Sequence, residues 1–308
     1  MYLFGPVPSR RLGRSLGVDI IPYKRCSFNC IYCQLGETSE QSTEIKPYGN
    51  LEDFKEEFLI WLKNNGEADY ITFAGSGEPT LNSLIKDMIL AIQELTDIPV
   101  AVLSNGSLFF LKSVRESVMP AQFVKSTLTT SNEKTFRLIH RANPDLTLEK
   151  HIEGLTLFRE ERKSGLYCIE VMIVKGINDT EEEMLGLREL ISRIRPDWID
   201  INTPTRPSQN PTISPVEFER LKEIQRILDY PSRILTQFSG EFKHLEISDD
   251  KLVEIISRHP DTLENISIMF GMSVEKTREY LDRLVKIGKL SCIEKGKKVS
   301  YIAARKGK

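Results

Sequence analysis

Cys26, Cys30 and Cys33 stand at x3 and x2 spacing in the run Cys-Ser-Phe-Asn-Cys-Ile-Tyr-Cys, so one short loop can bring three thiolates to one metal centre. Thiolates so placed suit a soft metal, and compact cysteine runs of this kind hold iron–sulfur clusters. A cubane cluster has more irons than this loop has cysteines, which leaves one iron open to chelation by a small molecule. The competing readings are a structural zinc, whose ligand set is closed by the protein, and chance clustering of buried cysteines. A zinc site usually shows a second ligand pair at a distance, and His140, His151, His244 and His259 form no such pattern. Cys168 lies in an apolar run and Cys292 in a hairpin-like segment; both read as small buried hydrophobes.

The elements that must position the loop follow from periodicity. An apolar strand over about 16–21 delivers the chain to Cys26, after a Gly/Pro-rich irregular opening in which Arg10, Arg11 and Arg14 crowd together. Those arginines can meet a phosphate or carboxylate, or simply be solvated. Asn50 can cap a helix through Lys63, with Phe54, Phe58, Trp61 and Leu62 as its core stripe. A strand over 69–74 ends in Gly75-Ser-Gly-Glu-Pro79, where glycines admit close backbone approach and Glu78 can accept from an ammonium. A helix over 81–95, a strand over 100–104 ending in Ser104-Asn105-Gly106, and a strand over 123–128 follow; Asn132 can cap the next helix. A helix over 148–162 precedes a strand over 166–174, after which Asn178 or Asp179 can cap another helix and Lys175 sits at the strand end. The last strand, 198–202, leads to Arg206, a candidate anion grip or loop brace. Strand and helix alternate about six times, which predicts parallel strands with polar tips at their carboxyl ends. A barrel and an open doubly wound sheet both place ligands on that edge.

The pattern Cys-x3-Cys-x-aromatic-Cys resembles that of the radical S-adenosylmethionine (radical SAM) superfamily. The resemblance implies an α/β fold, a partial (β/α)6 TIM-like barrel. It also implies a [4Fe–4S] cluster on the three cysteines whose open iron binds the amino and carboxylate groups of S-adenosylmethionine (SAM). Tyr32 stands where the superfamily sets an aromatic ring against the adenine. Gly77, Glu78 and Pro79 match its Gly-Gly-Glu-Pro element, which binds the SAM amino group, and depart from it at Ser76. Ser104 and Asn105 resemble its Ser-Asn-Gly strand end. Where Ser-Leu-Asp-Ala is common this chain reads Thr127-Leu-Thr129-Thr, without the carboxylate, and residues 170–179 again resemble the family. The implied chemistry is reductive cleavage of SAM to a 5′-deoxyadenosyl radical, the electron coming from an external flavodoxin- or ferredoxin-like donor. The N-terminal segment resembles an iron–sulfur oxidoreductase subgroup related to enzymes that build the wyosine base of tRNA. No second cysteine cluster is present, so wyosine formation itself is not expected.

Beyond residue 245 the pattern changes. Helices over 249–258, 262–269 and 273–287, the last capped by Ser273, precede a basic hairpin, an order that looks like a winged helix-turn-helix. The expected domains are therefore a barrel over 1–245 and a winged helix over 246–308. Lys276, Arg278, Arg283, Lys295, Lys297 and Lys298 can meet phosphates of a nucleic acid; docking to protein is the rival. The 308 residues carry a formal net charge of −2 with 40% apolar content, which gives no global reason to bind polyanions. No apolar run is long enough to span a membrane and residues 1–5 lack signal-peptide character, so a cytoplasmic protein is expected. An RNA base is the favoured substrate, a protein or peptide the alternative, and an iron–sulfur redox-sensing DNA-binding regulator the reading from a different class.

Overall fold

A computed structural model describes the chain apart from residues 10, 65, 207, 209, 211, 236–247, 259, 296–297 and 305–308. Arg10, His244, His259, Lys297 and the expected boundary at 245/246 lie outside the described residues. In chain order the elements are β1 (Leu3–Ser9), β2 (Gly13–Val18), β3 (Arg25–Cys26), β4 (Glu40–Gln41), α1 (Leu51–Lys63), β5 (Tyr70–Phe73), α2 (Ile85–Leu95), β6 (Val100–Leu103), α3 (Lys112–Val118) and β7 (Phe123–Thr127). They continue with α4 (Glu133–His140), α5 (Leu148–Glu161), β8 (Leu166–Met172), α6 (Glu181–Ile194), β9 (Trp198–Asn202), α7 (Phe218–Leu228) and β10 (Ser232–Ile234). The last group is α8 (Asp249–Arg258), β11 (Asp261–Thr262), α9 (Leu263–Phe270), α10 (Val274–Lys286), β12 (Leu290–Lys295) and β13 (Lys298–Ala303).

The main sheet runs β1-β2-β5-β6-β7-β8-β9-β10. Every pair from β2 to β10 is parallel. Neighbours in space are thus neighbours in strand sequence, with no reversal of order, which distinguishes a partial barrel from a doubly wound sheet. The strands are buried on both faces: Ile71, Phe73, Val100, Ala101, Val102, Tyr167 and Ile169 are all inaccessible, as parallel strands covered by helices must be. Six parallel strands match the expected barrel, and two more extend it. The opening segment, expected to be irregular, forms β1 antiparallel to β2 with a bulge between Phe4 and Val7; its prolines are tolerated because β1 is an edge strand. The short β10 adds to the other edge.

Side-chain caps read from the sequence are present. Asn50 accepts from Glu52 and Asp53, Asn132 from Lys134 and Thr135, and Ser273 from Lys276. Asn178 does not cap α6. It is fully buried, accepting from Val174 N (2.6 Å) and donating to Thr129 O (2.7 Å) and Met172 O (2.9 Å), and Thr180 takes the cap instead. The helix expected from residue 81 begins at Ile85, after a 3₁₀ turn over Pro79–Leu81. Cys168 is buried as expected, whereas Cys292 is exposed, because it lies on the outward-facing side of β12, where residues alternate in exposure.

From α8 to β13 the chain forms a helix–strand–helix–helix–hairpin unit with the antiparallel order β11-β13-β12. Its core of Leu252, Ile255, Ile256, Leu263, Leu281 and Leu284 also receives Phe4 and Val7 from β1. One edge strand of the main sheet is thus shared between two cores. Among the described residues no helix is long and apolar enough to cross a membrane.

His151 of α5 is 2% exposed, donates from Nε2 to Thr127 O at 2.9 Å, and packs against Phe28 and Phe136. Burial lowers its pKa from 6.5 to about 4. A depressed histidine pKa means that the unfolded chain binds more protons, so this contribution to stability is full above pH 6.5 and is lost as pH falls toward 4. The difference corresponds to about 3 kcal/mol. Denaturant unfolding between pH 7 and pH 4 should therefore show a shallower loss of stability in His151→Leu than in the parent chain.

Candidate functional site

The cysteine loop is held from below by an aromatic plug. Phe28, 1% exposed, meets Phe136 edge-on at 5.6 Å and lies 4.6 Å from the ring of His140. Backbone bonds fix the loop at both ends: Lys24 N donates to Ser76 O (2.7 Å), Glu78 N to Arg25 O (3.1 Å), Asn29 N to His140 O (2.8 Å) and Ile31 N to Ile139 O (2.9 Å). The loop is thereby clamped between the turn after β5 and the end of α4. Gly77 is the point of closest approach, since a Cβ there would lie 1.9 Å from Arg25 O. Ser76, where the sequence departs from the motif, keeps an ordinary φ and donates from Oγ to Asp19 at 2.5 Å.

Each cysteine sulfur faces one nitrogen from a different element. Asn105 Nδ2 is 3.5 Å from Cys26 Sγ, His140 Nδ1 is 3.2 Å from Cys30 Sγ, and Lys24 Nζ is 3.2 Å from Cys33 Sγ. The thiols are half-buried. Burial first, then the charge of Glu78, pushes the Cys26 thiol up to about 12; burial and the two other cysteines raise Cys30 well above the usual thiol range. These sulfurs are near enough to oppose one another's ionisation, which is the situation a metal relieves by binding thiolates. Among the described residues no three His, Cys, Asp or Glu side chains are gathered round a single ion. In an iron–sulfur cluster each thiolate binds its own iron.

Glu78 sits in a buried hydrogen-bond network. Its carboxylate, 2% exposed, accepts from Thr80 N (3.1 Å), Thr80 Oγ1 (2.6 Å), Ser104 Oγ (2.7 Å) and Asn105 N (2.7 Å). Burial raises its pKa and these donors oppose the rise. All four donors are the chain's own, so the side chain ties the β5 and β6 ends together. Ser104 and Asn105 are brought to it, and Asn105 reaches on to Ser27 Oγ at 2.9 Å. Pro79 is buried at the start of the 3₁₀ turn. Thr129, lacking the expected carboxylate, hydrogen-bonds His140 Nε2 at 2.8 Å.

Two cavities flank the loop. One of about 230 Å³ is lined by Tyr32, Cys33, Lys125, Glu170, Asn202 and Arg206, among others. The other, about 280 Å³, includes Arg11, Gly75, Gly77, Arg206 and Arg258 in its wall. Tyr32 and Arg206 line the smaller cavity, and Gly77 and Arg206 the larger. Arg206 is braced, with Nη1 donating to Gln34 and Nη2 to Asp261 of β11, both at 2.9 Å. Sequence reasoning missed the polar layer inside the barrel. Glu170 binds Arg11, Lys125 (2.7 Å) and Asn202 (3.1 Å), and Asp200 binds Arg11 (3.2 Å) and Arg233 (2.9 Å). The signal was present as charged residues inside apolar strand runs. Arg14 is a surface residue paired with Glu67 and Asp69, and Lys175 pairs with Glu217.

The family described as the Radical SAM superfamily matches residues 20–190, more than half of the chain. A UPF0026 protein of Methanocaldococcus jannaschii is 35% identical over 97% of this chain and 95% of its own length. A protein of Brachyspira hyodysenteriae named GTPase Obg is 37% identical over 94% of this chain, which spans 43% of that relative. Among solved structures, TYW1 with a lysine-pyruvate adduct bound aligns with a TM-score of 0.52 at 17% identity, covering 80% of each chain.

A methyl group at Gly77 meets backbone, which cannot rotate away as a side chain can. Gly77→Ala should lower both the melting temperature and the iron retained per chain after anaerobic reconstitution. Unchanged iron content would show that the clamp does not hold the cysteine loop.

Proposed function

This chain belongs to the radical SAM superfamily, and from that premise we propose that it cleaves SAM reductively at a [4Fe–4S] cluster on Cys26, Cys30 and Cys33 and modifies an RNA base. The observation that carries the reading is the meeting of the cysteine loop, the Glu78-ordered strand ends and the Tyr32–Arg206 cavity at the carboxyl edge of one parallel sheet. The donor set fits the cluster: three thiols, each beside a nitrogen donor, in a clamped loop. When bound, the cluster and SAM supply a single electron and a carbon radical able to remove a hydrogen atom.

The chain's own residues perform the rest. Tyr32 lines the smaller cavity beside Cys33, where an aromatic ring could meet an adenine. Gly75 and Gly77 let backbone approach the larger cavity. Glu78 fixes the β5 and β6 tips so that their geometry is set before a ligand enters. Arg206, bound to Asp261, and Arg258 bring the C-terminal unit to the wall of the larger cavity. An external flavodoxin- or ferredoxin-like protein would deliver the electron.

We read the C-terminal unit as a winged helix. In support of an RNA substrate, Lys276, Arg278 and Lys286 of α10 are exposed, as phosphate contacts require. A protein or peptide substrate is the second reading. It is favoured by Arg283 and Lys289 being bound to Asp249 and Asp250, and by Glu275, Glu279 and Asp282 sharing α10. Membership of an enzyme family weighs against the redox-sensing regulator.

The reconstituted chain, given SAM and a strong reductant under anaerobic conditions, should form 5′-deoxyadenosine, and Cys30→Ala should form none. Bulk tRNA should raise the yield above that with cell-derived peptides. Retained turnover in Cys30→Ala would overturn the ligand assignment, and stimulation by peptides alone would favour the second reading.

A further inference from the structure

Among the described residues two lysines are almost fully buried, and they are treated differently. Lys125, 6% exposed, has its ammonium 2.7 Å from the carboxylate of Glu170. Lys24, 3% exposed, is paired with no carboxylate among the described residues, and its Nζ points at Cys33 Sγ, 3.2 Å away. A buried ammonium without an anion is costly, and lysine is almost never buried unpaired. The anion it answers must therefore come from the sulfur side.

The placement is built into the backbone. Lys24 has φ +60°, a region uncommon for a residue with a side chain. It is held there by its N–H to Ser76 O (2.7 Å) and by its carbonyl, which accepts from Ser39 N (3.1 Å) and Ser39 Oγ (3.2 Å).

We propose that Lys24 is a positioning residue that supplies the buried positive charge balancing the cluster on Cys26, Cys30 and Cys33, and so raises its reduction potential. Asn105 and His140 donate to the other two sulfurs in support. A metal-bound Cys30 is a thiolate, so His140 must present Nδ1–H to it and accept from the Thr129 hydroxyl at Nε2. Reduction adds one electron, from an external one-electron donor, to an assembly already made anionic by three thiolates, and no proton need follow. A fixed cation and sulfur hydrogen bonds favour the more negative state, and both are established determinants of cluster potential. This inference rests on the cluster reading given above.

The test uses the full chain, reconstituted anaerobically with iron and sulfide and titrated against dithionite with the reduced cluster followed by electron paramagnetic resonance. Iron and sulfide content and the melting temperature of the cluster-free chain are measured in parallel. Lys24→Met should keep its iron and show a midpoint potential clearly more negative than the parent. Lys24→Gln, which keeps an N–H donor without the charge, should shift most of the way with it, and Lys24→Arg should return toward the parent. If neither neutral variant retains iron while the cluster-free chains melt normally, Lys24 serves cluster assembly and the inference that it sets the potential is overturned. An unmoved potential with a lowered melting temperature would make Lys24 a structural residue and overturn the inference. A parent chain that takes up no iron would instead remove the cluster reading itself.

Discussion

Two backbone hydrogen bonds, Lys24 N to Ser76 O and Glu78 N to Arg25 O, hold the cysteine loop against the turn that ends β5. Gly77 lies between them with room for a hydrogen and nothing larger. The site depends on this clamp because the loop contributes only the two-residue β3, paired with the equally short β4. Its order must come from elements that have their own cores. The clamp supplies it on one side; on the other, Phe28 sinks among Phe136, His140 and His151. A segment of irregular backbone is thus fixed to a parallel sheet and to helices, where small displacements are resisted by close packing.

From the clamp the constraint passes outward through Glu78. A buried carboxylate that accepts four hydrogen bonds from Thr80, Ser104 and Asn105 is a rigid junction. Asn105, oriented by that junction, reaches Cys26 and Ser27. The strand tips and the cysteine loop are therefore one hydrogen-bonded body. A ligand that entered beside Gly77 would meet groups already positioned, and preorganisation of this kind lowers the ordering cost of binding.

Much of this was legible from the residues, for a physical reason. Cysteine spacing, helix caps and apolar periodicity are local properties, and Asn50, Asn132 and Ser273 do what their positions suggest. The parts that were not legible depend on partners distant in sequence. That Ser104 and Asn105 donate to Glu78 shows only once the ends of β5 and β6 meet. Asn178 reads as a cap until strand ends close around it, and the layer of Arg11, Lys125, Glu170 and Asp200 exists only once the barrel forms. β1 was hidden by its own prolines, since an edge strand uses fewer of its backbone donors than a central one. Lys24 gave no signal at all, because nothing local distinguishes a buried lysine from a solvated one.

The shared edge strand joins the two parts of the molecule in a way that bears on function. Phe4 and Val7, paired on β1 in the main sheet, also help form the core of the C-terminal unit. Arg258 returns from that unit to Asp19, whose carboxylate also orders Ser76. Ser76 is one half of the clamp on the cysteine loop. A displacement of α8 would therefore be felt at Asp19, then at Ser76, then at Lys24 and Cys33, through contacts that are each direct. The C-terminal unit is consequently more than an appended module. Four contacts lead from Arg258 to the sulfur of Cys33, and the same Arg258 lines the larger cavity.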